Sequence, residues 1–197
     1  MRDEMHVEQE VYTHEYLWRS GGKLLEKAEA EEEGSYHYLL PSLLMSFLAY
    51  EAFINFCGYV LLPELWTDEK KKFKNKGIEA KLEAIVARLE NFSWEKGQPP
   101  YQSLKKLESF RNSVAHGKVQ YKAYVTERKE KGTHYDFECS WDDHISSVED
   151  VKEARANIKA FCSSLLIAVR KISDHLHLLH DAFEGPLASG SGTSRLS

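Results

Sequence analysis

The stretch YLLPSLLMSFLAYEAFINFCGYVLL, Tyr38–Leu62, is nearly continuous in apolar residues and long enough to cross a bilayer. It also contains Pro41, Ser42, Ser46, Glu51, Asn55 and Gly58. An ionised Glu51 near the centre would be costly in lipid, so the stretch reads as a buried helix rather than a membrane span. That helix starts near Ser35, is kinked or started at Pro41, and stops near Pro63. It is the expected centre of the fold, and the other elements are read as packing around it.

On its N-terminal side, a polar helical segment around Glu15–Glu33 ends at Gly34. Its acidic run AEAEEE, Ala28–Glu33, reads as a solvated face, because it lacks the Asp/Gly loop spacing of a calcium site. On the C-terminal side, Trp66–Asn75 is lysine-rich. Ile78, Leu82, Ile85 and Leu89 then recur at three- and four-residue intervals, the mark of an amphipathic helix. After the loop ENFSWEKGQPP a second periodic helix runs through Tyr101, Leu104, Leu107, Phe110 and Val114, with Gly117 as its C′ terminator.

Beyond Gly117 the period changes from helical to alternating. Val119, Tyr121, Ala123 and Val125 face Tyr135, Phe137, Cys139 and Trp141 across the turn RKEKG, which predicts a two-stranded hairpin over about 119–141. Ser146 and Glu149 have capping-box spacing, opening a long helix with its stripe on Val151, Ile158, Phe161, Leu165, Val169, Ile172, Leu176 and Leu179. Gly185 and Pro186 end it. The last residues, 187–197 (LASGSGTSRLS), are too poor in apolar residues to fold and have the composition of an appended sequence, so they read as a disordered tail. The expectation is an all-α, antiparallel helical bundle of about five to six helices with a small β-hairpin before the last long helix. Residues 1–186 would form one domain.

Composition narrows the function classes. The hydrophobic content of 42% is that of a globular protein, and the net charge of −5 gives no overall attraction to nucleic acid, so any RNA must bind at a local site. Cys57, Cys139 and Cys162 are far apart without a CxxC pair, which disfavours a disulfide framework and a cysteine-rich zinc site. With an acidic, polar N-terminus, they fit a reduced, cytoplasmic setting with no membrane partner. Phosphate-loop, dinucleotide-binding, hydrolase-elbow and zincin motifs do not occur in the sequence. Asp174, His175, His177, His180 and Asp181 form the densest ligand-type cluster, but Leu176 and Leu179 continue the core stripe between them. They read as surface residues, and no metal or cofactor is assigned.

Arg111 falls at the edge of the apolar stripe, where a charge needs a partner. Asn112 and His116, four apart, share a helical face. His116 lies in the last turn, where the negative end of the helix dipole favours the protonated ring. An arginine fork can hold a phosphate, and a histidine can take a proton from a ribose 2′-hydroxyl and return one to the leaving oxygen. Together they could cleave RNA without metal. The plainer reading stands beside it: Arg111 pairs with a buried carboxylate, Asn112 bonds to backbone, and His116 is a helix-end residue.

The string FRNSVAHG, Phe110–Gly117, resembles the RxxxxH signature of the HEPN superfamily (higher eukaryotes and prokaryotes nucleotide-binding), including the polar residue directly after arginine. LLMSFLAYEAFINFCGY resembles the family's earlier core helix, and GIEAKLEAIVARLE and YQSLKKLESFRNSVAHG resemble its next two, so the resemblance covers about Ser35–Gly117. It implies a helical bundle that dimerises so that two motifs face one cleft. It further implies metal-independent cleavage of RNA to 2′,3′-cyclic phosphate ends, in defence or toxin–antitoxin biology, with an antitoxin or regulatory partner. Arg111 would stabilise the transition state, Asn112 would orient it or the imidazole, and His116 would be the acid/base. Glu51, the lone charge of its helix, is the expected support for Arg111. Lys118 stands where toxins paired with a minimal nucleotidyltransferase often carry tyrosine, so modification there is not expected. The hairpin tip RKEKG reads as a solvated turn rather than a phosphate contact. The alternative is a non-catalytic HEPN-like module that binds nucleotide or protein and keeps the motif for structure.

Overall fold

The computed structural model describes residues 5–31, 33–90, 92–117, 147–173 and 181–194. Among them the chain is mostly helical, with one small antiparallel two-stranded sheet. The elements run β1 (Met5–Val11), α1 (Thr13–Ala30), α2 (Tyr36–Leu61), α3 (Pro63–Trp66), α4 (Glu69–Lys72), α5 (Gly77–Val86), α6 (Tyr101–Ala115), α7 (Val148–Arg170) and β2 (Ala188–Ser194).

The helix α2 is the hub, touching α1, α3, α5, α6 and α7. Its side chains Leu43, Phe47, Phe53, Ile54 and Cys57 are fully buried. By length and composition α2 could cross a membrane, yet half of its most apolar window is buried inside the fold. Pro41 lies within the helix rather than at its start. The turn before it tightens instead, with Leu39 and Tyr38 both donating to the Ser35 carbonyl. The apolar repeats place Ile78, Leu82 and Ile85 of α5, Leu104, Leu107 and Phe110 of α6, and Val151, Ile158, Phe161 and Leu165 of α7 against this hub.

Gly58 of α2 marks a close approach. A Cβ there would lie 2.0 Å from the Trp66 ring, far inside contact distance. In an open helix, Gly→Ala gains up to about 1 kcal/mol of propensity, but overpacking costs about 1–3 kcal/mol. Gly58→Ala is therefore expected to lower stability by about 1–2 kcal/mol, read as a lower urea midpoint. A raised midpoint would show that the Trp66 ring swings away freely.

Three expectations need correction. The tail reading of 187–197 fails for Ala188–Ser194, which form β2 against β1 in the register Val11↔Ala188 to Met5↔Ser194. Strand pairing uses backbone N–H and C=O groups and requires no apolar side chains. Small residues suit this edge, since a Cβ on Gly190 would come 2.7 Å from the Glu8 carbonyl oxygen. The join is extended by Tyr12 N–H to the Leu187 carbonyl (3.0 Å), the Gly185 N–H to Glu15 (2.9 Å) and Arg19 to the Gly185 carbonyl (2.6 Å).

The cap of α7 is Ser147, whose Oγ accepts the Asp150 N–H at 3.2 Å, and not Ser146. Adjacent serines each have an acid three residues on, so spacing alone could not choose between them; the extended backbone of Ser147 decides. The last helix also stops at Arg170 instead of continuing to Gly185, and Ile172 is 48% exposed. The predicted hairpin over 119–141 lies outside the described residues, as do Leu176 and Leu179.

Candidate functional site

The N-terminal end of α6 is held in place from α5. Glu79 accepts from the Tyr101 hydroxyl (2.6 Å) and from Lys96 (2.9 Å), and pairs with Lys105 (2.7 Å). These three donors pull the Glu79 carboxyl down to about 2, so it stays ionised across the physiological range. The helix is thereby fixed at its N-terminal turn, and Glu108, Arg111 and Asn112 are delivered together to a shared face by their three- and four-residue spacing.

Arg111 reaches back to α2. Its Nη2 donates to Glu51 Oε1 at 2.5 Å, its Nη1 donates to Asn112 Oδ1 at 2.8 Å, and its guanidinium lies 5.8 Å from the centre of the Phe47 ring. The ion pair with Glu51 is the one expected from two charges on buried faces. Arg111 is 29% exposed and Glu51 22%, so the pair is shielded from water without being sealed. Each terminal nitrogen keeps one further N–H for a ligand oxygen. Arg111 Nε is buried and has no hydrogen-bond partner among the described residues.

These groups open onto a cleft of about 430 Å³ between α2, α4, α5 and α6. Lys81 lies on its wall, donating to Asn55 Oδ1 at 2.8 Å and paired with Glu69 of α4. Formal charges on the lining balance, with Glu51, Glu69 and Glu108 opposed by Lys70, Lys81 and Arg111. The cleft is polar and open, of a size that admits a nucleotide, but it is not basic as a whole.

His116 sits elsewhere. It is the C-cap of α6, exposed, with its backbone N–H bonded to the Asn112 carbonyl at 3.0 Å. It does not line the Arg111 cleft, and among the described residues its ring bonds to none of Arg111, Asn112 or Glu51. One chain therefore brings together Arg111, Asn112 and Glu51 and leaves His116 apart, at the end of the same helix. Asn55, Lys81 and Lys70 were not singled out from the sequence. Asn55 follows Glu51 by one helical turn, a signal that could have found it; Lys70 and Lys81 are joined to the site by tertiary packing alone.

Other ligand-type groups are engaged or lie outside the description. Among the described residues no cluster of three or more potential metal ligands occurs. Of the C-terminal cluster only Asp181 is described, and it caps the following turn, accepting the Ala182 N–H at 2.8 Å. Cys57 and Cys162 are buried free thiols, and burial pushes both well above the ordinary thiol range.

No protein-family model, no characterised protein and no solved structure matches this chain.

Proposed function

We propose that the chain is an HEPN-type, metal-independent endoribonuclease, cytoplasmic and active as a homodimer, with a role in defence or toxin–antitoxin biology. The observation that carries this reading is the state of Arg111. It is anchored by Glu51 and Asn112, yet it keeps spare donors at the mouth of an open cleft, five residues before an exposed histidine. Arg111 would hold the scissile phosphate, Asn112 would fix the plane of the fork, and His116 would exchange protons with the 2′-hydroxyl and the leaving oxygen. Because His116 lies outside the Arg111 cleft of its own chain, two copies related by symmetry would have to bring their motifs into one groove. Such a helical bundle would match the order of helices that carries the resemblance.

A second reading has one observation in its favour. The Arg111–Glu51 pair, with His116 apart from it, is also what a motif kept for stability would look like, in a non-catalytic module that binds nucleotide or protein.

The deciding experiment is incubation of the purified protein with diverse RNAs in excess EDTA. Cleavage leaving 2′,3′-cyclic phosphate ends is the expected result, with specific activity rising with protein concentration through the monomer–dimer range. Intact RNA across the panel would move the assignment to the binding module.

A further inference from the structure

The region around α4 is distinct from the rest of the molecule in charge. Residues 69–77 read EKKKFKNKG, five lysines against the single Glu69, on a chain whose total charge is −5. Lys70, Lys71, Lys72, Lys74 and Lys76 are all exposed, and none is within ion-pair distance of a carboxylate among the described residues. Glu69, the one acid of the segment, is already taken by Lys81.

The backbone keeps these charges close together. Asn75 (φ 62°) and Gly77 (φ 69°) both adopt the left-handed conformation, folding the chain tightly between α4 and α5. Such crowding of like charges is unfavourable without a counter-charge. Phe73 sits in the middle of the lysines, half-buried against Trp66 with ring centroids 5.1 Å apart. Lys70, Phe73 and Gly77 are also wall residues of the Arg111 cleft. The basic patch therefore joins the candidate site at Lys70 and Phe73, with the other four lysines beyond its walls and forming the rim only in the sense of an approach to it.

We propose that this lysine rim is a binding surface for single-stranded RNA, which tracks the phosphate backbone into the Arg111 cleft while Phe73 offers a face for a base. The inference rests on the reading of the chain as acting on RNA and adds the surface that recruits the substrate. Lysine ammonium groups release counterions from phosphates, and an aromatic face among them stacks bases without sequence preference. A solvated lysine turn would need neither the aromatic centre nor continuity with a cleft containing a phosphate-type arginine. The charge-balanced cleft itself supplies little long-range attraction, so recruitment falls to the rim.

The test is equilibrium binding of fluorescent single-stranded RNA to the full chain in EDTA, over a salt series from low to physiological, for wild type and for Lys71→Gln/Lys72→Gln/Lys74→Gln. All three side chains are exposed, and circular dichroism checks that the variant is folded. Each lysine that neutralises one phosphate of a single strand contributes about 0.7 to the slope of log affinity against log salt, so the variant's slope should fall by about 2. Its affinity at low salt should fall at least about tenfold.

A wild-type slope and affinity in the variant would overturn the proposal. So would anionic lipid vesicles binding the rim where RNA does not. RNA that binds with the lysine-dependent slope but is not cleaved would uphold the rim and remove the ribonuclease reading. Cleavage of long RNA at unchanged KM by the triple variant would do the reverse.

Discussion

RNA incubated in excess EDTA with His116→Ala protein is expected to be cut on the order of 10²–10⁴ times more slowly than with wild type, the usual worth of a positioned general acid–base group. Exposed at the C-cap of α6, His116 makes few packing contacts to lose, so a fall in rate of this size would be chemical rather than structural. Arg111→Ala should cost on the order of 10²–10³ through loss of charge stabilisation at the phosphate. That variant carries a second effect, because it leaves the partly shielded Glu51 without the guanidinium it pairs with. Arg111→Lys separates the two: it retains a cation for Glu51 and loses the planar fork, so it should fold normally and still cleave poorly. Three folded variants cutting RNA at the wild-type rate would make the motif structural.

Stability should rise between about pH 4 and pH 6.5, and His14 is the group expected to cause it. Its ring is 1% exposed, packed among Phe53, Phe56, Phe183 and Tyr12, and its Nε2 has no hydrogen-bond partner among the described residues. Burial lowers its pKa from 6.5 to about 4. In that window the unfolded chain holds a proton that the folded chain does not, so stability is complete above 6.5 and is lost as pH falls toward 4. The full effect approaches about 3 kcal/mol.

Glu15, 3.8 Å away, works in the opposite sense. Its burial raises its pKa, so its contribution is present below the ordinary carboxyl range and is lost as pH rises through the raised value. Urea midpoints at several pH values for wild type and His14→Phe give the comparison. The variant's curve should be flat or reversed across the window, and a slope equal to wild type would place the titrating group elsewhere. Glu79, depressed to about 2, loses its contribution only as pH falls from about 4.5 toward 2, so it does not contribute to the rise expected above that range.

Much of this arrangement was legible in the chain, and the reason is periodicity. Leu82 and Ile85, Leu104 and Leu107, and Ile158 and Leu165 declare their helices because burial on one face repeats at the helical period whatever the partner is. The Arg111–Glu51 pair was legible for a related reason: each is a charge on an apolar face, and a shielded charge requires an opposite one. Local spacing grouped Asn112 with His116, four residues on, whereas the structure bonds the Asn112 side chain to Arg111, a contact between adjacent residues that helical spacing does not announce.

The tertiary structure decided what spacing leaves degenerate. It chose Ser147 over its neighbour as the cap of α7, because only backbone geometry distinguishes two serines with equal acid spacing. It drew Ala188–Ser194 onto β1, because hydrogen bonds between strands join peptide groups, which every residue carries, and so leave little trace in composition. It also set Lys70 and Lys81 around the Arg111 cleft, since residues tens of positions apart along the chain become neighbours only when α2, α4, α5 and α6 pack.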